Sequence, residues 1–256
     1  EGIIMKKILA CLLMLVMVTG LVSCQNRKQF LEDTYVEGQD QAYMYLDLVH
    51  ATQEVAETED GYYFLISNRL FFVDKTTLQM IPLCNKPDCL HEKETDTQKT
   101  WKCNAYFFSG YHGFISYWNG NLYIMVEYNQ EGNKLPHGGL IKVSKDGTKR
   151  TLVFEPQEEA SIFVLHRGVF YYSSETYDRG LNANYNIHAV DLQNGGKDEI
   201  LYHGEKESGS IQDMLCYGNH LYFREDFSDE EGNLKTEIKE INLNSREITT
   251  LESEDD

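Results

Sequence analysis

The chain has 256 residues and a formal net charge of −18. Such a surface repels a phosphate backbone, and the longest basic cluster, Lys142 to Arg150, is interrupted by Asp146, so nucleic acid is excluded as a partner. Apolar residues make up 41% and aromatics 12%, with 17 Tyr and 4 Pro, which suits a core of β-strands and argues against a disordered chain.

Met5-Lys6-Lys7 is a short basic region, Ile8 to Thr19 is an apolar run, and Leu21-Val22-Ser23-Cys24 follows. This order predicts an export signal over residues 1–23, with a helical apolar segment too short to span a membrane with confidence. The last four residues resemble the bacterial lipobox, in which small residues precede a Cys. That resemblance implies removal of residues 1–23 and acylation of Cys24, which becomes the first residue of the mature chain. The membrane is then a partner through the lipid on Cys24, and the location is the extracytoplasmic face of the bacterial cell membrane. The alternatives are an ordinary cleaved signal with an incidental Cys, or an uncleaved anchor helix. Residues 24–41 are expected to be a polar tether, and residues 42–256 the folded domain. Ala42 to Val49 reads equally as a short helix or a first strand.

Within that domain one phrase recurs. DGYYFLIS occupies 60–67, YWNGNLYIMV 117–126, RGVFYYSS 167–174 and GNHLYFRE 218–225. Each is a Gly followed by a short aromatic strand. Gly61, Gly120, Gly168 and Gly218 lie 59, 48 and 50 residues apart, spacings typical of propeller blades. A second apolar strand follows each copy, at 69–74, 139–143, 186–192 and 238–243, then a turn, then a third at 78–83, 149–154, 198–202 and 247–251. The fold class is therefore all-β and propeller-like, with about four blades of antiparallel strands. The units run about 54–84, 106–154, 160–204 and 211–251. Four units allow an incomplete or open ring, and a β-sandwich is the alternative fold.

The first interval is longest because it holds PLCNKPDCLHEKETDTQKTWKCNAYF, with an insertion over 84–103. Cys84, Cys89, His91 and Cys103 are spaced C-x4-C-x-H-x11-C, and Pro87-Asp88 supplies a turn between the first two. Three thiolates and an imidazole suffice for a closed tetrahedral site, which points to structural zinc as a cofactor. Disulfides are the rival reading, since an exported chain permits oxidation and Cys84, Cys89, Cys103 and Cys216 are even in number. Cys216 also reads as a buried core thiol.

The lipobox, the DGYYF strand and the run LCNKPDCLHEKETD…CNAYF resemble a group of uncharacterised lipoproteins from Firmicutes, over roughly residues 5–30 and 58–130. That resemblance implies an exported, propeller-like protein, in a ring extending beyond these four units, and implies no mechanism.

Few residues point to chemistry. Asp226 to Glu237 approaches a calcium loop, but Glu231 stands where the bend needs Gly, so a solvated hairpin is the better reading. There is no G-x-S-x-G elbow and no phosphate-binding G-x-x-x-x-G-K-[ST]. His188, His203 and His220 are expected to be ordinary strand or turn residues. Trp101, Tyr111, Tyr117 and Trp118 could line a sugar or peptide surface, though aromatics in strands more often form the core. Two function classes remain. The first is a lipid-anchored binding or scaffold protein, not an enzyme, with a protein, peptide or glycan ligand. The second is an exported carbohydrate-active or other hydrolytic enzyme on the same scaffold.

Overall fold

The computed structural model describes residues 31–37, 39–40, 53–92, 103–109, 113–129, 131–177, 183–206 and 208–255. The expected signal at 1–23, Cys24 and the stretch Ala42 to Val49 lie outside these. The described residues form sixteen strands and no helix. They are β1 (Val55–Glu57), β2 (Gly61–Ile66), β3 (Arg69–Asp74), β4 (Met80–Pro82), β5 (Ile115–Trp118), β6 (Asn121–Tyr128), β7 (Lys134–Ser144), β8 (Arg150–Phe154), β9 (Ala160–His166), β10 (Val169–Tyr177), β11 (Ala183–Asp191), β12 (Asp198–His203), β13 (Ser210–Tyr217), β14 (His220–Ser228), β15 (Leu234–Asn242) and β16 (Ile248–Asp255).

Each consecutive four make one antiparallel meander. The first strands touch in series, β1 to β5, β5 to β9 and β9 to β13. The sheets therefore stack radially about their first strands, which is the arrangement of propeller blades. The recurrent aromatic strands are β2, β6, β10 and β14, the second strand of every blade. Asn119-Gly120 and Arg167-Gly168 are two-residue turns with positive φ at both positions, 46° and 77°, then 48° and 81°. Such turns match the twist of the flanking strands. The first strands had no expectation of their own: β1 is only VAE, too short to show a period.

Burial shows why the blades must stack. In β6, Leu122, Ile124 and Val126 pack toward the first blade, with Tyr63, Leu65 and Leu70. Tyr123 and Met125, on its other face, pack toward the third blade with Phe163, Phe170 and Tyr172. Blade two is apolar on both faces and needs two neighbours. In contrast β14 alternates, with Leu221, Phe223 and Glu225 buried while Arg224 is exposed. Leu215 and Tyr217 stay 41% and 51% exposed on the fourth blade. Among the described residues no contact of comparable extent joins β13 to β1, so the four blades form an arc.

Among the described residues of the expected tether, 31–37 and 39–40, Glu32, Thr34 and Asp40 contact the turn between β9 and β10. Arg167 donates to the Glu32 and Thr34 carbonyls, both at 2.9 Å, and to both Asp40 carboxylate oxygens at 2.6 and 2.7 Å. Burial would raise the Asp40 carboxyl, but the Arg167 hydrogen bonds, the Val36 N–H and the charges of His166 and Arg167 together outweigh it and hold it below the usual range. Gly218 is required beneath this strap: a Cβ there would stand 2.1 Å from the Asp33 carbonyl oxygen.

Between blades three and four lies a charged knot. Glu225 is fully buried and accepts hydrogen bonds from Tyr185 (2.7 Å), Tyr202 (2.6 Å) and Lys239. Burial pushes the carboxyl up, yet these donors outweigh it and hold Glu225 below its ordinary value of 4.5. Lys239→Met strands that charge and is expected to cost about 3–5 kcal/mol in urea unfolding. A depressed folded pKa contributes stability that is fully present above pH 4.5 and is lost as pH falls through the folded value. The urea midpoint of the wild-type chain is therefore expected to drop below about pH 4.5, and that of Lys239→Met to drop less.

Candidate metal centre

After β4 the chain turns at Lys86 to Cys89, closed by the Cys89 N–H donating to the Lys86 carbonyl at 3.2 Å. Pro87-Asp88 occupies the turn, as the sequence predicts. His91 has a φ of 52°, and Arg69 of β3 donates to its carbonyl at 2.8 Å. The chain returns at Cys103. The Leu70 N–H donates to the Ala105 carbonyl at 2.7 Å, and the Phe107 N–H to that of Asn68 at 2.8 Å. Both ends of the insertion are thus sewn to β3 and its turn.

This return brings the four predicted ligands together. One ligand atom from each of Cys84, Cys89, His91 and Cys103 lies within 4.8 Å of all the others. Cys103 Sγ is 3.6 Å from His91 Nδ1. Around a tetrahedral metal with metal–sulfur and metal–nitrogen distances of about 2.3 and 2.0–2.1 Å, that edge is about 3.6 Å long. The group could hold a metal ion, and the observed edge has the length such an ion needs.

The electrostatics suit a cation. The Asn104 N–H donates to Cys84 Sγ at 3.4 Å. Burial pushes the Cys84 thiol up, but N–H groups of Lys86 and Asn104 and the thiols of Cys89 and Cys103 outweigh it and favour its thiolate. Burial carries Cys103 the other way, to about 12, and the neighbouring sulfurs add to the rise. Cys84 and Cys103 thus differ in their readiness to ionise, and a metal would remove that difference by binding both as thiolates.

Sequence reasoning missed Arg150, on β8. Its guanidinium donates to the Tyr106 carbonyl at 2.8 Å, the Cys103 carbonyl at 3.2 Å and the Asn104 carbonyl. It also lies 4.0 Å over the Phe107 ring. Burial pushes the guanidinium down to about 10, and the nearby Cys103 and Cys84 draw it back up. A divalent ion with three thiolates carries one net negative charge, and Arg150 stands beside it. Nothing in the spacing of the sequence marks this residue, because β8 follows the insertion by a whole blade.

The other candidates separate from this cluster. Cys216 is in β13, where burial raises its thiol and Asp40 adds to the rise. Cys84, Cys89, Cys103 and Cys216 are all free thiols. Asp229 accepts from the Glu231 and Asn233 N–H groups at 2.9 and 2.8 Å, making the 226–237 stretch the hairpin turn that the sequence favoured. His203 pairs with Asn186 at 2.7 Å and His220 with Glu240 at 2.5 Å, as ordinary strand residues do. His188 joins a buried line. Its Nδ1 is 3.0 Å from Asp198, its Nε2 is 2.9 Å from Ser174 Oγ, and Ser174 also donates to Glu158 at 2.9 Å. The order serine, histidine, aspartate is that of a nucleophile and its base. Ser174 is only 1% exposed and Glu158 already engages its hydroxyl, so the line is closed by hydrogen bonds within the third blade. Trp118 packs on the core between blades two and three; Trp101 and Tyr111 lie outside the described residues.

No protein-family model matches the chain, and no curated protein matches it. Solved structures similar to it include TolB from Acinetobacter baumannii, at 10% identity and a TM-score of 0.48 over 77% of this chain and 42% of that one. The xyloglucan-locus GH43B of Bacteroides ovatus has 10% identity and a TM-score of 0.43 over 87% and 43%. A puromycin-hydrolyzing peptidase of Mycobacterium tuberculosis has 12% identity and a TM-score of 0.43 over 77% and 30%. The chain spans less than half the length of each. At these values the likeness carries no argument about function.

Arg150→Met keeps an apolar stem on Phe107 and removes the carbonyl clamp. Affinity of the cluster for cobalt(II), followed by thiolate charge-transfer absorption, is expected to fall about 10–100-fold.

Proposed function

We propose that this protein is an exported, lipid-anchored propeller that binds a protein, peptide or glycan at the extracytoplasmic face of the membrane. Its long insertion is fastened by structural zinc held by Cys84, Cys89, His91 and Cys103. The observation that carries the zinc role is the convergence of the four ligand atoms within 4.8 Å. Three thiolates and an imidazole fill a tetrahedron and leave no open position for a substrate or water, so the role is structural. Zinc suits this set because soft thiolates with one imidazole select it over harder cations. The cluster joins the chain leaving β4 to the segment leading to β5, so the ion would cross-link blades one and two.

The anchor is supported by the order of basic residues, apolar run and Leu21-Val22-Ser23-Cys24. The binding role is supported by the scaffold, whose strands are consumed by packing while exposed hairpin ends such as Glu230 to Asn233 could carry recognition. The hydrolytic alternative would draw on the Ser174, His188 and Asp198 line, but the burial of Ser174 favours binding.

Purified protein beginning at Gln25 is expected to carry one zinc per chain, with Cys84, Cys89 and Cys103 reacting with thiol reagents only after chelation. Absence of zinc together with unreactive thiols would refute the metal and leave disulfides. In cells, the chain is expected to take up radiolabelled fatty acid, and Cys24→Ala is expected to abolish the label; unchanged labelling would refute the anchor.

A further inference from the structure

The pairing of second and third strands is uninterrupted in blades one, three and four. In blade two it passes from Val126↔Gly139 directly to Tyr128↔Lys134. One residue of β6, Glu127, therefore faces the four residues Leu135 to Gly138 of β7. Extra residues in a strand re-aim side chains, and they concentrate at functional edges. Gly138 takes the bend at a φ of 77°, where a Cβ would press to 3.1 Å from Met125 Cε and 3.2 Å from the Val126 carbonyl oxygen.

The expelled segment and the start of β9 enclose a pocket of about 150 Å³ between blades two and three. Met125, Leu135 and Phe163 give it apolar walls, and Glu127, His137 and Glu159 bring polar groups to it. His137 Nδ1 is buried and has no hydrogen-bond partner among the described residues. Glu159 Oε2 lies 3.5 Å from it, and the two side chains are 36% and 76% exposed. A buried ring nitrogen without a partner is unfavourable, and a ligand able to pair with it would recover that loss.

The polar groups define that ligand. Carboxylates only accept hydrogen bonds, and His137 Nδ1 accepts in the tautomer that carries its proton on Nε2. Lys134 is exposed and is the one lysine or arginine among the described residues lining the pocket. Two carboxylates against one ammonium leave a single negative charge to be met. We propose that this pocket binds a small organic cation, a primary amine carried on a short apolar ring or branched chain. The ammonium donates to Glu127, Glu159 and His137 Nδ1, and the apolar part lies against Met125, Leu135 and Phe163. The inference names a ligand class for the binding role proposed above. It uses no residue of the metal cluster or the anchor, so its failure leaves those readings standing.

The test titrates the zinc-loaded full chain with benzylamine, and with benzyl alcohol and benzoate as controls of the same shape. Histidine ring NMR resonances report the site and calorimetry the affinity. Benzylamine is expected to move the His137 resonance, assigned by its loss in His137→Gln, with saturation at millimolar concentration. Both controls are expected to bind at least about tenfold more weakly. The double variant Glu127→Gln, Glu159→Gln keeps the pocket's volume and is expected to weaken benzylamine at least about tenfold, with thermal unfolding unchanged. No movement of the His137 resonance, equal binding of benzoate, or undiminished binding to the folded double variant would each overturn the proposal.

Discussion

Everything in this molecule follows from sheets that cannot be left with a bare apolar face. A four-stranded sheet such as the second blade presents Leu122 and Ile124 on one side and Tyr123 and Met125 on the other. Burying one such side chain completely is worth about 1.5–3 kcal/mol, so a lone blade would expose more than its hydrogen bonds could offset. Radial stacking meets the constraint with short edges and local connections, because each meander is complete before the next begins. The same constraint leaves the outermost blades half covered, as Leu215 and Tyr217 record.

Two groups of buried polar side chains at the interfaces satisfy one another. Glu225 between blades three and four has two tyrosines and a lysine as donors. The Ser174, His188 and Asp198 line is similarly closed, with Tyr172 donating to Asp198 at 2.6 Å and stacking on His188 at 4.4 Å between ring centres. A low local dielectric makes each of these networks rigid when complete and costly when broken. The His137 nitrogen, one of four buried side-chain atoms without a hydrogen-bond partner among the described residues, sits where the strand pairing itself is broken.

The Cys and His insertion solves a different problem. Its described residues bury no aliphatic or aromatic side chain and Leu90 is 80% exposed, while Leu83, Ala105 and Phe107 flank it in the core. Its ends are held by hydrogen bonds to β3, and Arg150 clamps the return at Cys103 from blade two. Convergence of the ligands therefore depends on two blades being correctly stacked. A metal bound there would in turn hold those blades in register, which couples the site to the fold.

Much of the architecture was legible in the chain. The aromatic strand after each Gly, its period and the two strands that follow all come from local alternation and turn chemistry, which depend on neighbours in sequence. The ligand set Cys84, Cys89, His91 and Cys103 was legible too, because chemistry-bearing residues cluster within one interval. The short first strands were not, since VAE carries no period and becomes a strand only against β2. Neither was the docking of residues 32–40, which depends on Arg167, more than a hundred positions away. Arg150 and the pocket at His137 belong to the same class: each is made by segments from different blades. Sequence by itself determined what each blade is and which residues could ligate a metal. Tertiary structure alone decided which of them meet, because stacking is a contact between surfaces whose positions in the chain are remote.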